Sequence, residues 1–300
     1  MKKIRVAVVG YGNIGKGVYE AVIASSDMEI AGVKIRNKTK AKEKGIPQEL
    51  NIVEHLSELD AVDVAFLCIP SREVPSEAEE TLSMGINTID SYDIHTSLYD
   101  VHRKLDKIAK ESNSVAIIGT GFDPGIDSML RCMLEAAAPN GITYTNFGPG
   151  MSLGHTVAVK AIEGVKKALS VTIPLGTSIH RRMVYVELHD KNNADIVTKA
   201  IKNDAYFIND ETHVVVVEDV EALIDKGHGV NMVRKGVSGI TDNQLFEFNM
   251  RINNPAMTAQ MMVSAGRATM RQAPGCYTML EIPIIDLLPG EREKIIRRMV

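Results

Sequence analysis

Gly10-Tyr11-Gly12-Asn13-Ile14-Gly15 follows directly on the apolar run Ile4-Arg5-Val6-Ala7-Val8-Val9. That order decides the fold. A buried parallel strand feeds a tight glycine turn, and the turn opens a helix. Gly10 permits the turn, and Gly12 carries no Cβ to hold a pyrophosphate away from the backbone. Gly15 lets the helix close on the strand. The free N–H groups at the start of that helix, with the positive end of its dipole, then meet the phosphates. An amphipathic stretch behind the motif and a second strand at 29–33 give it weight. The bland alternative is a glycine turn with no nucleotide. All six residues from Gly10 to Gly15 are cofactor candidates.

Working outward, strand and helix candidates alternate over the first 120 residues. Strands are expected at 4–9, 29–33, 62–69, 87–90 and 115–119, and helices at 14–25, 75–84 and 96–112. This alternation predicts a doubly wound parallel α/β sheet of the Rossmann type. Val64-Ala65-Phe66-Leu67-Cys68-Ile69-Pro70 is apolar without alternation, as a strand covered on both faces must be. Its end, with Cys68, Pro70 and Ser71, lies on the edge where ligands bind in such sheets. These three join the cofactor candidates.

The pattern changes after Gly119. Later strand candidates at 143–147, 168–173, 183–188, 214–217 and 245–252 alternate apolar and polar residues. They predict an α+β second domain with a mainly antiparallel sheet, one side of it wet or ligand-facing. Helices are expected at 126–138, 155–163, 192–203 and 256–269, with a short charged helix at 291–299. Residues 1–121 and 255–300 are assigned to the dinucleotide-binding domain and 122–254 to the second. Met257, Met261 and Met262 read as core rather than as a cofactor box.

The 300 residues are enough for two domains, and 45% hydrophobic and 24% charged residues describe an ordinary soluble protein. A net charge of −4 without blocks of like charge gives no sign of nucleic-acid or membrane partners. No apolar run approaches the about 18 residues of a membrane helix. Three scattered cysteines, Cys68, Cys132 and Cys276, argue against a disulfide framework or a metal site and fit a reducing cytoplasm. The lysines at 38, 40, 42 and 44 read as a solvated loop face.

An NAD site often carries an acidic residue at the end of its second strand. Here that place reads Val33-Lys34-Ile35-Arg36-Asn37-Lys38. Arg36, with Lys34 or Lys38, suits the 2′-phosphate of NADP, because a guanidinium fork matches phosphate. Cations ending a strand in solvent are the alternative.

Two acidic segments close strands on the cofactor edge, Asp90-Ser91-Tyr92-Asp93-Ile94-His95 and Phe122-Asp123-Pro124-Gly125. Asp93 and Asp123 suit an ammonium group and the acceptance of its proton. Each equally suits the cap of the helix that follows. His95 and His155 stay ambiguous. The glycine stretch Gly148-Pro149-Gly150 reads either as a backbone carboxylate cradle or as a plain connection. Thr172, Arg182, His228 and Asn254 have suitable chemistry, but spacing does not link them.

At these segments the chain resembles the meso-diaminopimelate dehydrogenases. The resemblance is carried by the glycine motif, the two acidic segments and Phe147-Gly148-Pro149-Gly150-Met151-Ser152-Leu153-Gly154-His155. It implies a cytoplasmic homodimer of lysine and cell-wall precursor metabolism, with residues 122–254 as its substrate and dimerisation domain. The implied reaction is NADP-dependent oxidative deamination of the D-centre of meso-2,6-diaminopimelate to L-2-amino-6-oxopimelate and ammonia. It further implies Asp93 and Asp123 at the reacting amino group, with Phe122 and Phe147 among the substrate contacts. Leu153 and Gly154 would hold the D-end carboxylate. Thr172, Arg182 and His228 would hold the distal carboxylate, and Asn254 the distal amino group. Phe122 stands where a tryptophan is usual, and Ile35 where an arginine is expected. A 2,4-diaminopentanoate dehydrogenase or a broad D-amino acid dehydrogenase is the alternative reading.

Overall fold

The computed structural model describes residues 3–40, 45–223 and 228–300. The chain divides into two compact units, Met1–Met129 with Pro255–Val300, and Leu130–Asn254.

The first unit opens with strand β1 (Ile4–Val9), helix α1 (Asn13–Ile23), β2 (Met28–Lys34) and a two-residue β3 (Ile52–Val53). There follow β4 (Val64–Leu67), α2 (Val74–Ser83), β5 (Asn87–Asp90), α3 (Leu98–Glu111) and β6 (Val115–Ile117). Helix α4 (Asp127–Ala137) carries the chain into the second unit. That unit contains β7 (Asn140–Met151), α5 (Leu153–Lys160), β8 (Val165–Gly176), β9 (Ile179–Leu188) and α6 (Ala194–Asn203). It continues with β10 (Glu211–Val216), β11 (His228–Ser238) and β12 (Asp242–Ile252). The chain then returns to the first unit through α7 (Asn254–Thr269), β13 (Gly275–Tyr277) and α8 (Arg292–Met299).

The first sheet runs β13-β6-β5-β4-β1-β2-β3, and all its pairs are parallel. Its strands show how an unbroken apolar run serves two faces. Val6, Val8, Val64 and Phe66 enter one core cluster, together with Val18 of α1 and Met262 of α7. Their neighbours Ala7, Val9, Ala65 and Leu67 enter a second, with Ala78 of α2 and Leu105 of α3. A strand whose side chains alternate between two covered faces cannot alternate in polarity, so the run looks featureless in sequence. Strand order reverses between β1 and β4, which sets their carboxyl ends at the crevice typical of ligand binding in doubly wound sheets. Met262 is fully buried, as core.

The second sheet runs β10-β9-β8-β7-β11-β12. Only β9 and β10, joined through α6, are parallel; the rest is antiparallel. Helices α5 and α6 cover one face, where Val159, Val197 and Ile201 pack on Ala168, Val184 and Val186. The parallel-sheet Rossmann class and the mainly antiparallel second sheet are both as the sequence predicts. Three strands escape the sequence reading: β3, β13 and the eleven-residue β11. One reading is corrected: Gly148-Pro149-Gly150 is not a loop but part of β7.

Candidate active site

The glycine motif adopts the geometry its spacing demands. Gly10 has φ +87°, and a Cβ there would stand 2.5 Å from the Cys68 carbonyl oxygen. A Cβ on Gly15 would stand 2.2 Å from the Gly10 carbonyl oxygen. Gly12, the N-cap of α1, would meet nothing within 4 Å. Two glycines are therefore required by packing, and the middle one faces open space at a helix N-terminus. That is the arrangement a pyrophosphate needs. Asn13 and Ile14 open α1. Tyr11 is buried, its ring 6.2 Å from that of Tyr19, and burial raises its phenol pKa. Cys68, Pro70 and Ser71 directly follow β4, and burial pushes the Cys68 thiol far up, away from thiolate chemistry.

At the end of β2 the cations are not free. Lys34 Nζ lies 2.5 Å from Glu77, the exposed Arg36 guanidinium donates to Glu73, and Lys38 Nζ lies 2.7 Å from Glu58. The sequence reading found no carboxylate here because all three come from later segments. Lys42 and Lys44 lie outside the described residues.

Asp93 and Asp123 follow two adjacent strands, β5 and β6. The Ser71 hydroxyl donates to Asp93 Oδ1 at 2.6 Å, so the end of β4 steadies the carboxylate after β5. Asp123 sits in the irregular turn Phe122–Ile126, with φ −143° and ψ 108°, and its Oδ2 lies 3.8 Å from His95 Nε2. Phe122 is buried at the head of this turn. Asp93 does not cap the helix that follows it, since the N-cap of α3 is Ser97. A pocket of about 240 Å³ is lined by His95, Tyr99, Pro124 and Met279 among others, all in the first unit.

In the second unit one rung of the sheet gathers residues far apart in sequence. Thr212 pairs with Arg182, Arg182 with Thr172, Thr172 with Gly150, and Gly150 with His228. Directly opposed residues share a face, which sets Thr212, Arg182 and Thr172 on one side of the sheet. Arg182 Nη1–H donates to the buried Thr172 hydroxyl, and its Nε–H to Asp210 Oδ2 at 2.6 Å. The backbone of His228 is described, but its side chain lies outside the described residues. Gly148, at φ +95°, passes so close to β8 that a Cβ would stand 2.2 Å from the Thr172 carbonyl oxygen. Leu153 and Gly154 are the first two residues of α5, where backbone N–H groups have no intrahelical acceptor. His155 packs edge-on against Tyr206 and Phe207, with Nδ1 2.8 Å from the Ser152 hydroxyl. Phe147 donates its N–H to His180 Nε2 at 2.8 Å. Asn254 begins α7.

The sequence reading missed Asp210, Glu73 and His180, which reach their partners only through register and crossover. It also missed the role of Asp90, whose carboxylate links the two acidic loops. Among the described residues, no helix is long and apolar enough to cross a membrane.

A strand–glycine turn–helix cradle on a parallel sheet, joined to a second unit, defines a Rossmann-type oxidoreductase. Residues 4–120 match the family model for the oxidoreductase family with NAD-binding Rossmann fold, and residues 121–181 match the diaminopimelic acid dehydrogenase C-terminal domain. The chain is 62% identical to the meso-diaminopimelate D-dehydrogenase of Bacteroides fragilis, over all of both chains. It superposes over all of both chains on Corynebacterium glutamicum DAP dehydrogenase in complex with DAP, with a TM-score of 0.89 and 28% identity. An engineered D-amino acid dehydrogenase bound to NADP+ gives 0.88 and 27%, again over both whole chains. The chain belongs to the meso-diaminopimelate D-dehydrogenase family.

Proposed function

We propose that this protein oxidatively deaminates the D-centre of meso-2,6-diaminopimelate. With water and NADP+ the products are L-2-amino-6-oxopimelate, ammonium, NADPH and a proton, in a reversible reaction of lysine and cell-wall precursor metabolism. The observation that carries the reading is the rung of Arg182, Thr172, Gly150 and His228. A guanidinium fixed to a hydroxyl on one sheet face is what a remote carboxylate requires. A simple amine substrate gives no reason for it.

The first unit acts as the dinucleotide-binding domain, and Gly10 to Gly15, Arg36, Cys68, Pro70 and Ser71 hold NADP. The open face of Gly12 fits its pyrophosphate. When bound, the nicotinamide supplies the hydride acceptor. Hydride leaves only from a carbon bearing a neutral amine, so Asp93 or Asp123 first takes the ammonium proton. The hydrogen bond from Ser71 keeps Asp93 oriented for that task. Phe122 and Phe147 wall the substrate, and the Leu153 and Gly154 N–H groups hold the D-end carboxylate. Arg182, Thr172 and His228 hold the distal carboxylate, and Asn254 the distal amino group. Anchoring the distal end decides which α-hydrogen reacts, so handedness becomes geometry.

The second unit also serves as the dimerisation domain. Ile142 and Leu245 share a rung through Lys235, on the sheet face opposite the one that α5 and α6 cover. They are 51% and 63% exposed, two large apolar side chains on either side of a lysine that suit a homodimer interface. Sedimentation of the purified protein tests this, and a monomer at all concentrations refutes it. The free cysteines suit a cytoplasmic location.

The deciding assay follows NADPH formation from meso-, LL- and DD-diaminopimelate side by side. The meso isomer turns over fastest and the LL isomer not at all. Equal rates with all three, or a faster rate with 2,4-diaminopentanoate, overturn the assignment.

A further inference from the structure

Two successive arginines on β9 meet two carboxylates at the start of β10, on opposite faces of the sheet. Arg181 pairs with Glu211 at 2.9 and 3.1 Å, with both side chains open to water. The Arg182 side chain is only 13% exposed, and its Nε–H donates to Asp210 Oδ2 at 2.6 Å. Nη1 is tied to Thr172 Oγ1. Among the described residues, Nη2 has no acceptor. The two ties come from strands on either side of β9: Thr172 from β8, Asp210 from the approach to β10. A guanidinium gripped at Nε and at Nη1 cannot turn about its own axis. Its Nη2 edge keeps one direction.

We propose that Asp210 is a positioning residue that fixes the plane of Arg182, and so sets the enzyme's demand for a carboxylate at the distal end of its substrate. The inference rests on the reading of Arg182 as the distal clamp. Asp210 has two opposed effects. Its charge offsets that of Arg182 and weakens the pull on a carboxylate, while its hydrogen bond holds the fork in register. Register wins here. A shielded guanidinium without a fixed partner reorients toward water or backbone carbonyls, and a two-point carboxylate contact is lost when the fork is turned. Thr172 alone leaves rotation about Nη1 open. The parallel β9–β10 ladder, with Thr212 directly opposite Arg182, supplies the second point. In a substrate with no distal carboxylate the guanidinium has nothing to orient toward, so Asp210 is silent.

The test uses full-length protein with Asp210→Ala, Asp210→Asn, Arg182→Ala and the Asp210→Ala/Arg182→Ala pair. Steady-state rates are measured with meso-diaminopimelate and with D-2-aminoheptanoate, which has the same chain length and a bare distal end. Melting temperature and NADP binding monitor folding. Asp210→Ala raises KM for meso-diaminopimelate about tenfold, as for residues in one hydrogen-bond network, and leaves kcat and the D-2-aminoheptanoate rate within about twofold. Asp210→Asn keeps an acceptor and loses less. The pair is no worse than Arg182→Ala alone, because Asp210 acts through Arg182. An unchanged or lower KM in Asp210→Ala, beside a raised KM in Arg182→Ala, overturns the proposal and makes the contact a structural pair. Equal losses on both substrates in Asp210→Asn do the same. If Arg182→Ala leaves the preference between the two substrates unchanged, the clamp reading itself has failed, and the proposal falls with it.

Discussion

Gly119 and Asp90 are joined by a hydrogen bond that the strand ladder does not supply: the Gly119 N–H donates to Asp90 Oδ1 at 3.0 Å. The same oxygen accepts the Tyr92 N–H at 2.9 Å, and the Asp90 carbonyl oxygen accepts both the N–H and the hydroxyl of Thr120. One buried residue therefore stitches the loop that carries Asp93 to the loop that leads to Asp123. Burial raises the Asp90 pKa to about 6, against the lowering effect of its two N–H donors.

A carboxyl whose pKa is higher in the folded than in the unfolded chain makes the protein less stable as pH rises between those two values. The span from 3.8 to about 6 corresponds to about 3 kcal/mol, lost by pH 7. Asp90→Asn keeps the acceptor oxygen and removes the charge. The melting temperature of Asp90→Asn relative to the parent rises by several degrees between about pH 4.5 and about pH 7.5. A constant difference across that window shows that Asp90 is not the titrating group.

The glycine motif and the run of β4 were legible because they are local. The strand, the turn and the helix of the glycine motif adjoin one another, and the unbroken apolar run of β4 signals a strand covered twice. What was not legible depends on register. Nothing in the sequence ties Arg182 to Asp210, 28 residues on, or to Gly150 and His228 across the sheet. Strand β11 hid behind its glycines and its buried Arg234, which donates to the Ala138 and Pro139 carbonyl oxygens and to the Thr143 hydroxyl, and lies 3.8 Å from Glu135. The Gly148-Pro149-Gly150 stretch has the composition of a loop, yet Gly148 and Gly229 are glycine because β7 passes hard against β8 and β11. Strands β3 and β13, of two and three residues, fall below the length at which periodicity exists.

Gly12 and Gly15 separate cofactor binding from folding. A methyl at Gly15 collides with the Gly10 backbone oxygen, which cannot move without breaking the turn. Gly15→Ala lowers the melting temperature by several degrees, and NADP affinity falls with it. Gly12→Ala meets open space, so its melting temperature stays within a degree or so while NADP binding weakens. Calorimetric melting and cofactor titration of both variants check the pair, and a stable Gly15→Ala protein contradicts the packing account.

Asp123 is the sharper test of the chemistry. Asp123→Asn preserves shape but cannot accept the ammonium proton, so kcat with meso-diaminopimelate falls about 10²–10⁴-fold. NADP binding is unchanged. Turnover within a factor of a few of the parent removes Asp123 from proton transfer and leaves Asp93, with its Ser71 donor, as the acceptor.

Arg36, proposed to meet the 2′-phosphate of NADP, is paired with Glu73. The Arg36 guanidinium must leave Glu73 to meet a 2′-phosphate, but both side chains are exposed, and an exposed pair is worth about 0–1 kcal/mol. Glu73→Gln therefore tightens NADP no more than about fivefold and leaves NAD unchanged. Arg36→Ala removes a charge-assisted contact of about 1.5–3 kcal/mol, so NADP affinity falls about ten- to a hundredfold while NAD affinity barely moves. Cofactor dissociation constants for the two variants decide the matter. Equal losses for NADP and NAD in Arg36→Ala exclude it from phosphate recognition, and a weaker NADP complex in Glu73→Gln shows that the carboxylate supports the cofactor rather than competing with it.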